Sequence, residues 1–396
     1  MISYRGYKRR NGAVGIRNVV LIISGDLCCN PWSREIAAPF DSCHALLHKH
    51  GVGNYAPDRE LFFRLLTGIT VHPNVAGFVL VSSGNEDHSP GELTQRAKDA
   101  GIPFHIVSAR KEKSASAVLR KGKRYAGRLV REASAARRTI AGIDTLRIGL
   151  NCAGTDLDSA KTSHLILAEI VDRITSEGGT VVASELPDLI GIEEALFERC
   201  ESPSVRAALA VFMENRKRLL AATGEKIDDI EMVTFNVEGG LTTLEKKARV
   251  SILKTGSGVI REAVPYGQAP SEKGLVFMDG PAMTDFVMTG FMGAGVQLMI
   301  NTCGSGQGNK MPFTVGADMP SPILPIIKMT GSTAYYRQRI NRIDFDAATL
   351  LDGREDVHHA SRRLERMIIE TASGKTTRTE IGGDYLLNIP VRFPQS

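Results

Sequence analysis

Apolar positions along this chain follow two alternating periods. Short runs bounded by glycine, serine and asparagine read as buried strands: Val19 to Ile23, Cys43 to His48, Ala76 to Ser82 and Pro103 to Val107. Amphipathic stretches separate them. Trp32 to Phe40 reads as a short helix opened by Pro31, Asp58 to Ile69 puts Leu61, Phe62, Leu65 and Leu66 on one face, and Ser89 to Ala100 carries Pro90 in its first turn. The alternation resumes with a strand at Arg147 to Cys152, a helix at Ser159 to Ser176 and a strand at Thr180 to Ser184. Helices follow around Glu193 to Cys200 and Ser204 to Ala222. Strands then fall at Leu275 to Met278, Val296 to Asn301 and Ile323 to Met329, and a helix at Val357 to Ala372 ends on Ser373 and Gly374. Repeated βα units predict an α/β fold of two lobes, each with an open, mostly parallel sheet flanked by helices. The expected divisions are an N-terminal lobe over 1–112, a basic helical linker over 113–145 and a C-terminal lobe over 146–396.

Composition narrows the class. With 42% hydrophobic and 23% charged residues the chain is globular, not disordered or fibrous. No apolar run approaches the ~20 residues of a membrane span, and the basic start with its short apolar run is not a secretory leader. Six cysteines without a CxxC pair suggest reduced thiols and a cytoplasmic protein. The net charge of +5 does not by itself imply nucleic acid. It is unevenly spread: eleven bases and two acids between Arg110 and Arg138 give +9 locally and leave −4 for the remainder. Such runs usually solvate, so a solvated linking helix is expected, the alternative being a patch for an acidic partner.

In open α/β sheets ligands bind at the carboxyl ends of the strands. Here six expected strand ends are polar: Gly25 to Asn30, His48 to Asn54, Ser82 to His88, Asn151 to Asp156, Ser184 and Glu185, and Asn301 to Lys310. Together they predict one shared polar cleft. Each also has a plainer reading. His48 and His50 alternate, so one can be a hydrogen-bonded core residue; Cys28 and Cys29 can be buried fillers; Glu86, Asp87 and Asp156 can be helix caps. The glycines from Gly304 to Gly308 form either a turn or a backbone cradle for an anion. They lack the Gly-Lys-Ser/Thr of a P-loop, and no GxGxxG follows Gly25, so no nucleotide cofactor is expected. Gly239-Gly240-Leu241-Thr242-Thr243 runs into a helical stretch and offers either an ordinary cap or a site for substrate oxygens.

Several motifs carry a resemblance. Gly6-Tyr7-Lys8-Arg9, Gly12-Ala13-Val14-Gly15-Ile16-Arg17-Asn18, His50-Gly51, His72-Pro73-Asn74-Val75-Ala76-Gly77 and Gly149-Leu150-Asn151-Cys152-Ala153-Gly154-Thr155-Asp156 occur in that order. Ser184-Glu185 with Gly191 and Glu193, Gly239 to Thr243, Val276-Phe277-Met278-Asp279 and Ala372-Ser373-Gly374 follow. The series resembles the core of the altronate and galactarate dehydratases, to which the large subunit of sulfolactate sulfo-lyase is similar. The resemblance implies a lyase that eliminates water from a hydroxy or sugar acid, in a family associated with iron. Elimination of sulfite, or a non-catalytic paralogue binding an acidic metabolite or a partner subunit, are the alternatives. It also implies that the small domain preceding this core in sugar-acid members is a separate small subunit here, and an oligomer. No nucleic acid or membrane partner is expected.

The departures fall on chemistry. Where the family carries cysteine in the segment of His50 to Asn54, this chain has Val52 and Asn54; Gly-Cys-Glu is Gly84-Asn85-Glu86; Thr-Gly-Arg-Gly is Cys303-Gly304-Ser305-Gly306. The remaining ligands for iron or another divalent metal are Cys28, His50 and Cys152, with Cys303 new. His50, Glu86 and Glu185 are the expected acid/base residues. Arg17, Asn18, Asp156, Thr242, Thr243, Gly304, Ser305 and Gly306 are expected to hold the small carboxylic-acid substrate.

Overall fold

The computed structural model describes residues 2–304, 321–380 and 385–390. The chain opens with β1 (Ser3–Lys8) and β2 (Val14–Gly15). The first βα series comprises β3 (Val19–Ser24), α1 (Asn30–Ala37), β4 (Cys43–Leu47), α2 (Ala56–Thr70), β5 (Val75–Ser82), α3 (Pro90–Asp99), β6 (Phe104–Ser108) and α4 (Ala115–Ala135). After β7 (Thr139–Gly142) the second series runs through β8 (Arg147–Gly154), α5 (Ser163–Ser176), β9 (Thr180–Ala183), α6 (Pro203–Ala221), α7 (Leu244–Leu253), β10 (Ile260–Val264), β11 (Gly274–Met278), α8 (Thr284–Gly293), β12 (Leu298–Cys303), β13 (Ile326–Thr330), α9 (Thr333–Gln338), β14 (Phe345–Asp346) and α10 (Val357–Ala372). The last strand is β15 (Tyr385–Leu386).

Two parallel sheets result, as expected. The first has strand order β15-β4-β3-β5-β6 and the second β10-β11-β9-β8-β12-β13-β14, with β2-β1-β7 as a small antiparallel sheet. The pleat sends alternate residues to opposite faces. Val20, Ile22, Val79 and Val81 meet α1 and α4 on the outer side of the first sheet. Leu21, Ile23, Phe78 and Leu80 share one core with Val182, Val276, Met278 and Met299 of the second sheet, filled by α2 and α8. The outer side of the second sheet, with Ile148, Leu150, Phe277 and Ile300, packs on α5, α7 and α10. The molecule is therefore a helix–sheet–helix–sheet–helix stack with a common middle layer.

Within that layer α2 and α8 cross at Gly68 and Gly293, and a Cβ on Gly68 would overlap the Gly293 carbonyl. The amino ends of both sheets are joined by the 72–74 motif. His72 Nε2 bonds the Val296 carbonyl at 2.8 Å and accepts from Asn74 N through Nδ1. Asn74 donates to Gln297 O and Ile323 O and accepts from Ile16 N and Arg17 N.

The basic segment differs from its expected role as a linker. Val118, Ala126 and Leu129 of α4 are buried in the outer core of the first sheet, so the helix completes that lobe and shows its arginines to solvent. β7 then pairs with β1 and ends the lobe near Gly142. Helix α8 was not read from the sequence because it is apolar on every side, the pattern of a helix buried all round.

Candidate functional site

The second sheet carries a buried charge cluster at the carboxyl end of β9. Glu185 follows that strand with a left-handed backbone, φ 64°, a conformation that costs energy for a residue with a side chain. Its carboxylate accepts from Cys152 N at 3.1 and 3.2 Å and meets Lys254 Nζ at 3.2 Å. Lys247, seven positions before Lys254 and so on the same helical stripe, pairs with Asp188 at 2.9 Å and with Glu231 at 3.7 Å. Burial pushes the Glu185 carboxyl up to about 7, against the pull of Lys254 and with help from Asp188. Burial works to lower the Lys254 ammonium, but Glu185, Cys152 and Asp188 outweigh it and hold it above its ordinary value. Burial also raises the Cys152 thiol to about 12, so it is protonated.

Several buried polar atoms in the second lobe have no hydrogen-bond partner among the described residues. They are Ser184 Oγ, Asn151 Oδ1, Thr302 Oγ1, Ser163 Oγ and His164 Nε2. His164 bonds the Val250 carbonyl through Nδ1, which fixes Nε2 as an acceptor. Native interiors rarely leave polar atoms unsatisfied, and these fall at the ends of β8, β9 and β12 and the start of α5. On the inner face Asn151, Asn301 and Lys328 lie in register across β8, β12 and β13. Asn151 Nδ2 donates to Asn301 Oδ1 at 2.8 Å and to Thr284 Oγ1 at 3.0 Å.

The first sheet carries its own cluster. Asp26 caps the turn after β3 by accepting from Cys28 N and Cys29 N, and Ser83 Oγ bonds its second oxygen. Glu86 accepts from Ser83 N at 2.7 Å and Gly84 N at 3.0 Å. Ligand atoms of Asp26, Cys29 and Glu86 lie within 4.8 Å of one another, a grouping with metal-ligand spacing. His48 is the satisfied core histidine: Nε2 bonds Ser24 O at 2.7 Å and Nδ1 accepts from His50 N. His50 stacks on Phe62 with centroids 6.0 Å apart, and burial lowers its pKa against Asn54 and Asp58.

The expected residues therefore form two hydrogen-bonded groups, one at the carboxyl end of each sheet. Glu185 and Cys152 meet in the second lobe; His50 and Glu86 stand at the strand ends of the first. None of the hydrogen bonds of Cys28, His50 or Glu86 reaches Glu185 or Cys152, because each group is set by its own sheet. The expected metal set of Cys28, His50 and Cys152 does not converge: Cys28 is exposed, and its neighbour Cys29 turns inward. Val52 and Asn85, at the family's cysteine positions, are exposed.

Arg17 and Asn18 serve the lobe junction instead of a ligand. Arg17 grips Glu380 through Nε and Nη2 at 2.6 and 2.7 Å and donates to the Ile16, Thr371 and Lys375 carbonyls. Asn18 joins Arg9 to the Ala133 carbonyl. Thr243 is an ordinary cap on α7, accepting from Lys246 N, and Thr242 accepts from Lys246 Nζ; both are exposed. Asp156 caps the short helix after β8 through Ser159 N at 2.7 Å. It is wedged so closely between Gly239 and Gly304 that a Cβ on either would overlap it. Ser305 and Gly306 lie outside the described residues. Sequence reading missed Lys254 and Lys247, although Lys247, Ser251 and Lys254 fall at the i, i+4, i+7 positions of a buried helix face.

Residues 143–391 match the family model for the C-terminal part of D-galactarate/altronate dehydratase, and residues 6–134 match the second domain of D-galactarate dehydratase/altronate hydrolase. The gap between the two matches runs from the end of α4 through β7, where the structure ends the first lobe near Gly142. Altronate dehydratase of Bacillus subtilis is 25% identical over 96% of this chain and 75% of its own length. The (2R)-sulfolactate sulfo-lyase subunit beta of Chromohalobacter salexigens is 27% identical over 96% of this chain and 95% of its own length. Galactarate dehydratase of Escherichia coli is 26% identical over 94% and 73%. Similarity along nearly the whole chain, with both lobes matched in order, shows that the chain belongs to the D-galactarate/altronate dehydratase family.

Proposed function

We propose that this chain is a lyase that eliminates water from a small hydroxy carboxylic acid, with Glu185 and Lys254 handling the proton. The observation that carries the reading is the Glu185–Lys254 pair. A carboxyl titrating near 7 is poised to take a proton at neutral pH, and it follows Ser184, whose Oγ has no partner among the described residues, at a sheet's carboxyl end. Glu185 removes the proton from the carbon next to the substrate carboxylate. The electron pair moves toward that carboxylate, and the Lys254 ammonium offsets the charge that develops there. The bond from the next carbon to its hydroxyl breaks, and the hydroxyl leaves as water with a proton from Lys254. The resulting enol becomes a 2-keto acid, and a proton passing from Glu185 to Lys254 resets the pair.

Asp26, Cys29 and Glu86 are the residues that would hold a divalent cation; two carboxylates and one thiol suit a single ion better than a thiolate cluster. A cation bound there would supply Lewis acidity. No step above depends on it.

A second reading is favoured by the match over 95% of the sulfo-lyase subunit. The same proton removal would then expel sulfite from a sulfonated hydroxy acid, with a separate subunit as partner. The test is incubation of the protein with aldonic acids, aldaric acids and 3-sulfolactate, with and without ferrous iron. Formation of a 2-keto acid that stops in Glu185→Gln supports the lyase, and sulfite release selects the second reading. Absence of both products from every acid would reject catalysis.

A further inference from the structure

The amino ends of the first sheet carry a hollow of their own, with about 180 Å³ of water-sized room. Lys8, Arg9 and Arg10, at the end of β1 and in the turn after it, line this hollow. Ile102 and Pro103, which lead into β6, and Leu129 of α4 supply an apolar wall. Glu132 is the only acid among the described lining residues. The hollow lies at the opposite end of the sheet from Asp26 and Glu86, and neither Glu185 nor Lys254 lines it.

Arg9 is a cation without a counter-charge. Its guanidinium donates to the Pro73 carbonyl at 2.8 Å, to Asn18 Oδ1 at 2.6 Å and to the Arg17 carbonyl at 3.0 Å, and it lies over the Tyr7 ring. All of these partners are neutral, and burial lowers the group to about 10. Holding a charge out of water on neutral partners alone is costly, and an anion beside it offsets that cost. Among the described residues the side chains of Lys8 and Arg10 make no hydrogen bond or ion pair. Arg10 lays its stem over Gly101, where an added Cβ would meet Arg10 Cδ at 3.2 Å. Glu132 is already engaged, accepting from Arg128 Nε at 3.0 Å. The lining therefore sets three positive charges against one negative, which favours an anion.

The rest of the lining selects among anions. Glu132 and the last carbonyls of α4, a helix end with partial negative charge, work against a doubly charged phosphate. The apolar wall rewards carbon atoms, which phosphate lacks. A carboxylate carries one charge and matches a guanidinium fork.

We infer that Lys8, Arg9 and Arg10 hold the carboxylate of a small acid whose apolar body lies against Ile102, Pro103 and Leu129, at a binding site separate from the one proposed for the lyase reaction. The test is calorimetric titration of the full chain with acetate, isovalerate and inorganic phosphate at one pH and ionic strength. Isovalerate, a longer and branched relative of acetate, binds about tenfold more tightly than acetate. Lys8→Gln/Arg10→Gln weakens isovalerate about tenfold. Both residues are exposed, and an unchanged thermal midpoint checks that the variant is folded. Phosphate bound as tightly as isovalerate, equal affinity for acetate and isovalerate, an affinity for isovalerate that the double variant leaves intact, or no binding of any of the three overturns the inference.

Discussion

The Lys254 ammonium stands 3.2 Å from Glu185 Oε2, with the two residues 2% and 0% exposed. A solvent-free ion pair needs dense support, and here Cys152 N supports the carboxylate while Asp188 and Lys247 repeat the pairing two helical turns away. If the pair does the proton transfer, Glu185→Gln lowers kcat by about 10²–10⁴-fold, and Lys254→Met does likewise. The sign of the pH dependence follows from the base having to be ionised. With the carboxyl at about 7, kcat/KM climbs with pH up to about 7 and then levels. A profile flat from pH 5 to 8 would count against Glu185 as the base.

The same pair makes a stability prediction. Removing one member leaves the other buried without a partner, which costs about 3–5 kcal/mol, whereas replacing both by neutral groups recovers most of that loss. Urea unfolding should therefore rank the Glu185→Gln/Lys254→Met double variant above Lys254→Met alone. The opposite order would show that the ion pair is not the main tenant of this part of the core.

Acid should destabilise the fold through its buried histidines. Burial lowers His48 and His72 to about 4 and His164 to about 3, below the ordinary 6.5. Groups depressed in this way contribute stability that is present above the ordinary value and lost as pH falls through the folded one. Each accounts for on the order of 3 kcal/mol across that window. Unfolding free energy should drop steeply between pH 6.5 and 4, and His72→Gln should flatten part of the drop.

Gly68 and Gly293 let α2 and α8 touch backbone to backbone. Gly68→Ala puts a methyl group where the Gly293 carbonyl stands. A buried overlap of this kind costs about 1–3 kcal/mol, read as a lower thermal midpoint. Gly53→Ala, which meets no atom within 4 Å but has φ 71°, should cost less, about 1 kcal/mol.

Cobalt(II) offers a direct test of the first lobe's trio. Uptake at Asp26, Cys29 and Glu86 should give a thiolate-to-cobalt charge-transfer band that Cys28→Ser keeps and Cys29→Ser abolishes. A band that vanishes with Cys28→Ser would restore the exposed cysteine as the ligand.

Much of this architecture could be read directly from the chain. The central strands of both sheets and helix α10 announce themselves because each has one clear period, and the helix at Val357–Ala372 matches the sequence reading. Helix α8 hid because it has no polar face, and β1, β7 and β10 hid because their short, half-exposed runs carry little apolar signal. The strand-end rule put Glu185 and Cys152 at the carboxyl end of a sheet by position alone, and that is where they stand. It did not divide the six ends between two sheets, since sequence does not say which sheet an end belongs to. Lys254 was missed for a different reason: a lysine at a helix terminus is ordinarily solvated, and only packing against the turn after β9 reveals that this one is not. Arg17 misled in the reverse sense, a cation in a shared motif whose guanidinium is spent entirely on holding Glu380 and three carbonyls.

β15 gives the arrangement a consequence in time. Its two residues lie along β4, and Leu387 N bonds the Leu47 carbonyl at 2.8 Å, so the rim of a sheet begun by residue 19 is finished by residues made more than 350 positions later. During synthesis the first lobe must wait with that margin uncovered until those late residues are made.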